Sequence, residues 1–165
     1  MRKSARKITY PAVASAVSVV LLLLASVIPS GQLGFVAATV ILTLYSVSAS
    51  GVMSAVYIYL ITSLIALLIL PDKVPVVFYA SFFGLYPLIK VFAEKLSKSF
   101  SWAIKLIFLF ISLYIIKLFL SDLILGFSIF NSYIIAYYLI CGAVFIVFDI
   151  GVSAICRHFE TKKAS

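Results

Sequence analysis

From Leu33 to Leu70 the chain carries no charged side chain, and this stretch limits the fold more than any motif does. It is too long for one crossing of a bilayer, which takes about 20 apolar residues. In water it would present a surface with too little charge to stay soluble. Of 165 residues, 65% are hydrophobic and only 11% charged, and the mean hydropathy is +1.26. The expected solvent is therefore lipid. The length allows roughly six membrane-spanning helices and leaves no space for a soluble domain.

Arg2, Lys3, Arg6 and Lys7 precede an apolar run from Tyr10 to Ile28, which ends at Pro29, Ser30 and Gly31. A signal peptide starts alike, but its apolar core is about 7–15 residues. The longer run predicts a retained first span at 10–28. The small-residue cluster from Ser46 to Gly51 divides the uncharged stretch into spans at 33–48 and 51–70, the former short. Pro71 to Pro75 pairs two prolines with Asp72 and Lys73 and reads as a tight outer loop. The fourth span covers 76–96. Pro87 removes a backbone donor inside it and predicts a kink, with Gly84 easing the bend. Lys90, well along this span, is expected to reach the headgroups with its long stem. Trp102 anchors a fifth span at 102–120. A loop carrying Asp122 and Asn131 follows, and the sixth span at 133–155 is closed by Arg157, Lys162 and Lys163.

Basic residues decide the orientation, because they accumulate on the cytoplasmic side of membrane helices. With the amino terminus inside, eleven of the thirteen lysines and arginines fall in cytoplasmic segments or near that face, and only Lys73 and Lys117 fall toward the outside. Five spans would strand one terminal cluster on the wrong side. The reading is an all-α integral membrane protein, a single transmembrane domain over 1–165 with six helices and both termini cytoplasmic. In a soluble protein the net charge of +8 would point to nucleic acid. Here its placement follows insertion, and a base-reading motif is missing, so nucleic acid is not an expected partner. Cys141 and Cys156 lie on one predicted helix, about 22 Å apart at 1.5 Å per residue, and cannot pair with each other.

Catalytic chemistry finds few residues to work with. His158 is the sole histidine and lies in the basic tail. A metalloprotease would need three or four side-chain ligands, and an intramembrane serine hydrolase a histidine at depth. A glycine loop for nucleotide phosphates and an aspartate run for magnesium are both missing from the sequence. The chain is read as a non-enzyme with no cofactor and no metal.

Ionisable groups at membrane depth are functional candidates by default. Lys105 and Asp149 count to the cytoplasmic face, where a structural ion pair or two snorkelling side chains is the simpler reading. Lys117 counts to the outer leaflet, close in sequence to Asp122, Asn131 and Tyr133. With Tyr79, Tyr114 and Tyr137 these residues are expected to line an outward-facing substrate pocket offering a cation, an anion and ring faces. The plainer alternative is an aromatic belt with a snorkelling lysine. Ala12 and Ala16, four apart on the first span, form a candidate partner-docking face, since small residues let another helix approach closely.

In architecture the whole chain resembles the substrate-binding S component of energy-coupling factor (ECF) transporters. Those are small, very hydrophobic bacterial proteins with six helices, cytoplasmic termini and an Ala-x-x-x-Ala patch on the first helix, here Ala12 and Ala16. Phe83-Gly-Leu-Tyr-Pro-Leu-Ile-Lys90 is similar in character to the fourth helix of uncharacterised relatives. The resemblance implies a multi-pass protein of the bacterial cytoplasmic membrane that binds a vitamin or trace nutrient from outside through its last three helices. Its first three helices would dock on a transmembrane coupling subunit driven by two ATPases. The alternative is a non-catalytic scaffold resembling the rod-shape membrane protein MreD, which is similarly small and multi-spanning.

Overall fold

The computed structural model describes residues 2–95, 97–121 and 134–164, and every regular element among them is helical. Helix α1 (Arg2–Val27) ends where Pro29–Gly31 forms a single 3-10 turn into α2 (Gln32–Ser50). Helix α3 (Met53–Ile69) follows after two residues, and α4 (Val74–Phe78) begins beyond the Pro71 to Lys73 turn. A π turn (Tyr79–Phe83) leads into α5 (Tyr86–Ala93), followed by α6 (Lys98–Ser121) and α7 (Ile134–Ala164).

Among the described residues, four helical segments are long and apolar enough to cross a membrane: Ile8–Val27, Pro29–Ser50, Val74–Ala93 and Tyr138–Ile155. Two further apolar helical stretches, Met53–Ile69 and Phe100–Ile116, are shorter.

The turn between α2 and α3 falls later than the serines suggest. Ser48 returns its hydroxyl to the Leu44 carbonyl, 3.1 Å away, and so stays compatible with a helix in a medium without water. The chain reverses only at Gly51, whose φ of +96° lies in the left-handed region that favours glycine. The second span is accordingly a full 22 residues, Pro29–Ser50, and not the short helix expected.

Around Pro87 the expected disturbance takes the form of a π turn, Tyr79–Phe83, within the helical segment Val74–Ala93. Pro87 cannot donate a helical bond, and its ring excludes the carbonyl four residues earlier. The backbone widens instead, with Gly84 N donating to Tyr79 O at 2.7 Å. Two carbonyls in the widened turn are taken by neighbouring helices. Ala80 O accepts Tyr59 OH of α3 at 3.2 Å, and Ser81 O accepts Ser112 Oγ of α6 at 2.9 Å. A broken helix survives in lipid by such side-chain bonds. Gly84 serves close approach: a Cβ there would stand 2.6 Å from Tyr59 Cδ2 and 3.0 Å from the Tyr79 carbonyl oxygen.

Two apolar clusters hold the helices together. Leu22, Ala25, Val36, Ala66, Leu70, Val76 and Tyr79 join α1 to α2, α3, α4 and the π turn. Val40, Leu44, Phe82, Tyr86, Leu109, Leu113, Phe145 and Val152 join α2 to the later helices. Phe82 is the hub of the second cluster, with the rings of Phe83, Tyr86, Phe108 and Phe145 at centroid distances of 4.9 to 5.7 Å. The inward face of α1 carries Ala14, Ser15, Ser18, Leu22 and Ala25, and the alanines and serines among them admit α2 and α3 closely. The outward faces remain apolar, as with Val13, Val17 and Val20 on α1 and Leu60, Leu64 and Leu68 on α3.

The turns at one end are tied together by polar bonds. Gln32 Nε2 donates to Asp72 Oδ2 at 3.0 Å, the Asp72 amide to Ser26 Oγ at 3.4 Å, and the Val74 amide to Asp72 Oδ1 at 3.0 Å. Lys73 Nζ closes the carboxyl end of α3 by donating to Leu67 O and Leu70 O at 2.8 and 2.6 Å. The α1–α2 turn and the Pro71 to Lys73 turn therefore share one end of the bundle. The α2–α3 turn and the α5–α6 corner share the other.

Candidate functional site

Among the described residues, the buried charged side chains gather near the α5–α6 corner. Tyr86, Lys90 and Glu94 follow one another at four-residue intervals, so they form one stripe along α5 and just past its end. Asp149 and Ser153 have the same spacing on α7, and Lys105 projects from the second turn of α6. These stripes meet between the helices. Lys90, Lys105 and Asp149 are 1%, 5% and 3% exposed, respectively.

Asp149 is the acceptor at the centre. Its Oδ1 takes hydrogen bonds from Tyr86 OH, from Lys90 Nζ at 2.9 Å and from Lys105 Nζ at 3.0 Å. Its Oδ2 takes a second bond from Lys105 Nζ at 2.9 Å. Lys90 Nζ also donates to Ser153 Oγ at 2.6 Å and pairs with Glu94 Oε1 at 3.1 Å. All three ammonium hydrogens of Lys90 thereby have an acceptor. Lys105 gives two to Asp149, and its Nζ stands 5.7 Å from the centroid of the Trp102 ring, within cation–π range.

Charge bookkeeping shows how the centre is stabilised. Two ammoniums and one carboxylate are buried, and the second carboxylate, Glu94, is 51% exposed. Each buried ion gives up hydration worth several kcal/mol, and only short, multiple bonds to opposite charge offset that. The phenol and the serine hydroxyl fill the remaining positions. Among the described residues no three of His, Cys, Asp or Glu come together.

The Lys105–Asp149 pair appears as one of the two forms weighed for it. Lys90 does not extend to the headgroups. Its ammonium turns inward, because Asp149 and Ser153 on α7 lie within hydrogen-bond reach and replace the water it would seek at the surface. The sequence offers for this second cation only polar residues four apart within apolar helices, Tyr86, Lys90 and Glu94 on one and Asp149 and Ser153 on another, a spacing that does not say which way Lys90 faces.

The outer pocket residues are placed as follows. Tyr79 is fully buried in the π turn, its ring stacked near Tyr59 with centroids 6.3 Å apart. Its hydroxyl stands beside Thr62 without closing a hydrogen bond. Tyr114 lies on the exposed face of α6, so the two rings occupy different surroundings. Lys117 and Tyr137 belong to α6 and α7, while Asp122, Asn131 and Tyr133 lie outside the described residues. Ala12 and Ala16 both lie on the exposed side of α1, opposite the face that packs on α2 and α3.

Compared with protein-family models, curated proteins and solved structures, the chain matches none of them.

Proposed function

We propose that this chain is a six-span protein of the bacterial cytoplasmic membrane, with both termini cytoplasmic, that serves as the solute-binding subunit of an ECF-type uptake transporter. The observation that carries this reading is a division of labour among the helices. Helix α1 packs chiefly on α2 and α3 through small and hydroxylated residues. Among the described residues the buried charges lie on α5, α6 and α7. A chain whose first three helices dock on a coupling subunit, and whose last three handle a polar solute, would have this distribution. Ala12 and Ala16, facing outward on α1, are the proposed contact with that subunit. The proposed solute is a small vitamin or trace nutrient, approached from the outer end of the bundle.

A scaffold of the MreD type is the second reading, and one observation favours it. The acceptors of Asp149 and all three donors of Lys90 are engaged within the chain, as in a clamp that fixes helices for a partner. Extraction in mild detergent separates the two readings. The transporter reading expects copurification of a transmembrane coupling subunit and two ATPases, with a small molecule released on denaturation and identified by mass spectrometry. Recovery of the chain alone and empty favours the scaffold. Replacing Lys117 and Asp122 by alanine gives a second discrimination, because loss of uptake by a normally folded protein is expected only of the transporter.

A further inference from the structure

We propose that the corner where α5 gives way to α6 binds a phosphate-type oxyanion, with Lys90 and Lys105 as its cationic floor and Glu94 as the intrachain carboxylate that the anion displaces. This inference rests on membrane placement and on the charge centre, not on the solute-subunit reading.

The charges of the centre do not balance within its buried part. The buried part of the centre holds two ammoniums and a single carboxylate, so one positive charge has no buried counterpart. Glu94 supplies the missing negative charge from a half-exposed position, 3.1 Å from Lys90 Nζ. Ion pairs with an exposed partner separated by one helical turn are weak and readily exchanged. The Glu94 carboxylate also marks a route by which an oxygen anion from outside the bundle reaches Lys90. Buried Asp149 and part-buried Ser153 hold the lysine in place while that third position exchanges. Lys105 has one ammonium hydrogen beyond the two given to Asp149, and it lies on the side of the exposed Trp102 ring.

The surroundings fit an anion at a membrane face. Phe92, Phe100 and Trp102 are exposed around the corner, as suits residues that meet lipid at an interface. Lys95 is also exposed, its Nζ 5.6 Å from the centroid of the Phe92 ring, adding positive potential beside the site. Basic pockets between membrane helices are suited to phosphate headgroups. The same chemistry would accept free phosphate, so the source of the anion is what the experiment resolves.

The full chain is purified into phosphatidylcholine bicelles and its thermal unfolding followed while sodium phosphate is added against sodium chloride of equal ionic strength. In a second arm phosphatidylglycerol replaces part of the phosphatidylcholine. A shift with both additions supports a site open to free phosphate, and a shift with phosphatidylglycerol alone supports a lipid headgroup site. E94Q removes the internal competitor and is expected to tighten binding about two- to fivefold. D72N makes the same charge change at the opposite end and is expected to leave binding as in the parent. The proposal is overturned if neither addition stabilises the parent or E94Q beyond its control, or if D72N tightens binding as much as E94Q does.

Discussion

Lys105 holds both carboxylate oxygens of Asp149, at 3.0 and 2.9 Å, while both residues are withdrawn from the surface. Because Lys90 bonds to the same aspartate, the three ions are unequal in what their removal leaves behind. D149N strands two buried ammoniums with only the half-exposed Glu94 as counter-charge, and is expected to cost about 3–5 kcal/mol. K105M leaves the balanced Lys90–Asp149 pair and is expected to cost less. Adding K105M to D149N removes one of the stranded cations and should recover part of the loss. Denaturant unfolding of the four proteins in mixed micelles gives this double-mutant cycle. A D149N protein as stable as the parent would show that the centre contributes nothing to holding α5, α6 and α7 together.

Tyr59 and Gly84 give a second prediction. The ring of Tyr59 occupies the space a Cβ at position 84 would need, and its hydroxyl bonds to the Ala80 carbonyl. G84A forces the ring or the π turn to move, at an expected cost of about 1–3 kcal/mol. Gly142 on α7 has open space where its Cβ would lie, so G142A is expected to be neutral or stabilising by up to about 1 kcal/mol. Thermal unfolding of the two variants side by side tests the contrast. Equal behaviour would mean that close packing at Gly84 is not what favours glycine there.

Ser112 offers a gentler probe of the same break. S112A removes the hydroxyl that satisfies the Ser81 carbonyl. Hydrogen bonds between membrane helices average about 0.6 kcal/mol with a maximum near 1.7, and the loss should fall in that range. Amide hydrogen exchange reads the effect locally. Faster exchange around the π turn, with exchange in α2 unchanged, is the expected pattern, whereas uniform acceleration would indicate global destabilisation instead.

These elements differ in how much of them the sequence alone revealed. Proline and glycine punctuation marked the turns at Pro29 to Gly31 and at Pro71 to Pro75, since those residues act through their own backbones. The serines before Gly51 misled, because a hydroxyl that reads as a turn former in water folds back onto its own helix in an apolar medium. Pro87 announced a disturbance but not its form. The π turn depends on side chains of other helices that take up the freed carbonyls, and Tyr59 and Ser112 are remote in sequence. The charge centre was half legible. Lys105 and Asp149 stood out as ions at depth, but nothing local says that Lys90 faces α7 rather than the headgroups. That depends on the rotation of α5, which the packing of Phe82 against Phe145 and Phe108 helps to set.

The proposed topology yields the last prediction, which tests orientation independently of activity. With Cys141 and Cys156 replaced by serine, single cysteines are introduced at positions 73 and 95 and probed in intact cells with a membrane-impermeant maleimide. Lys73 lies in the loop after α3 and Lys95 just beyond α5, on opposite sides of the broken span Val74–Ala93. Cytoplasmic retention of Lys95 and the Arg2 to Lys7 cluster requires position 73 to label from outside and position 95 only after lysis. The reverse pattern would invert the bundle and put the Asp149 centre toward the exterior. The outer-pocket assignment would then fail, although the charge pairing and the fold would stand.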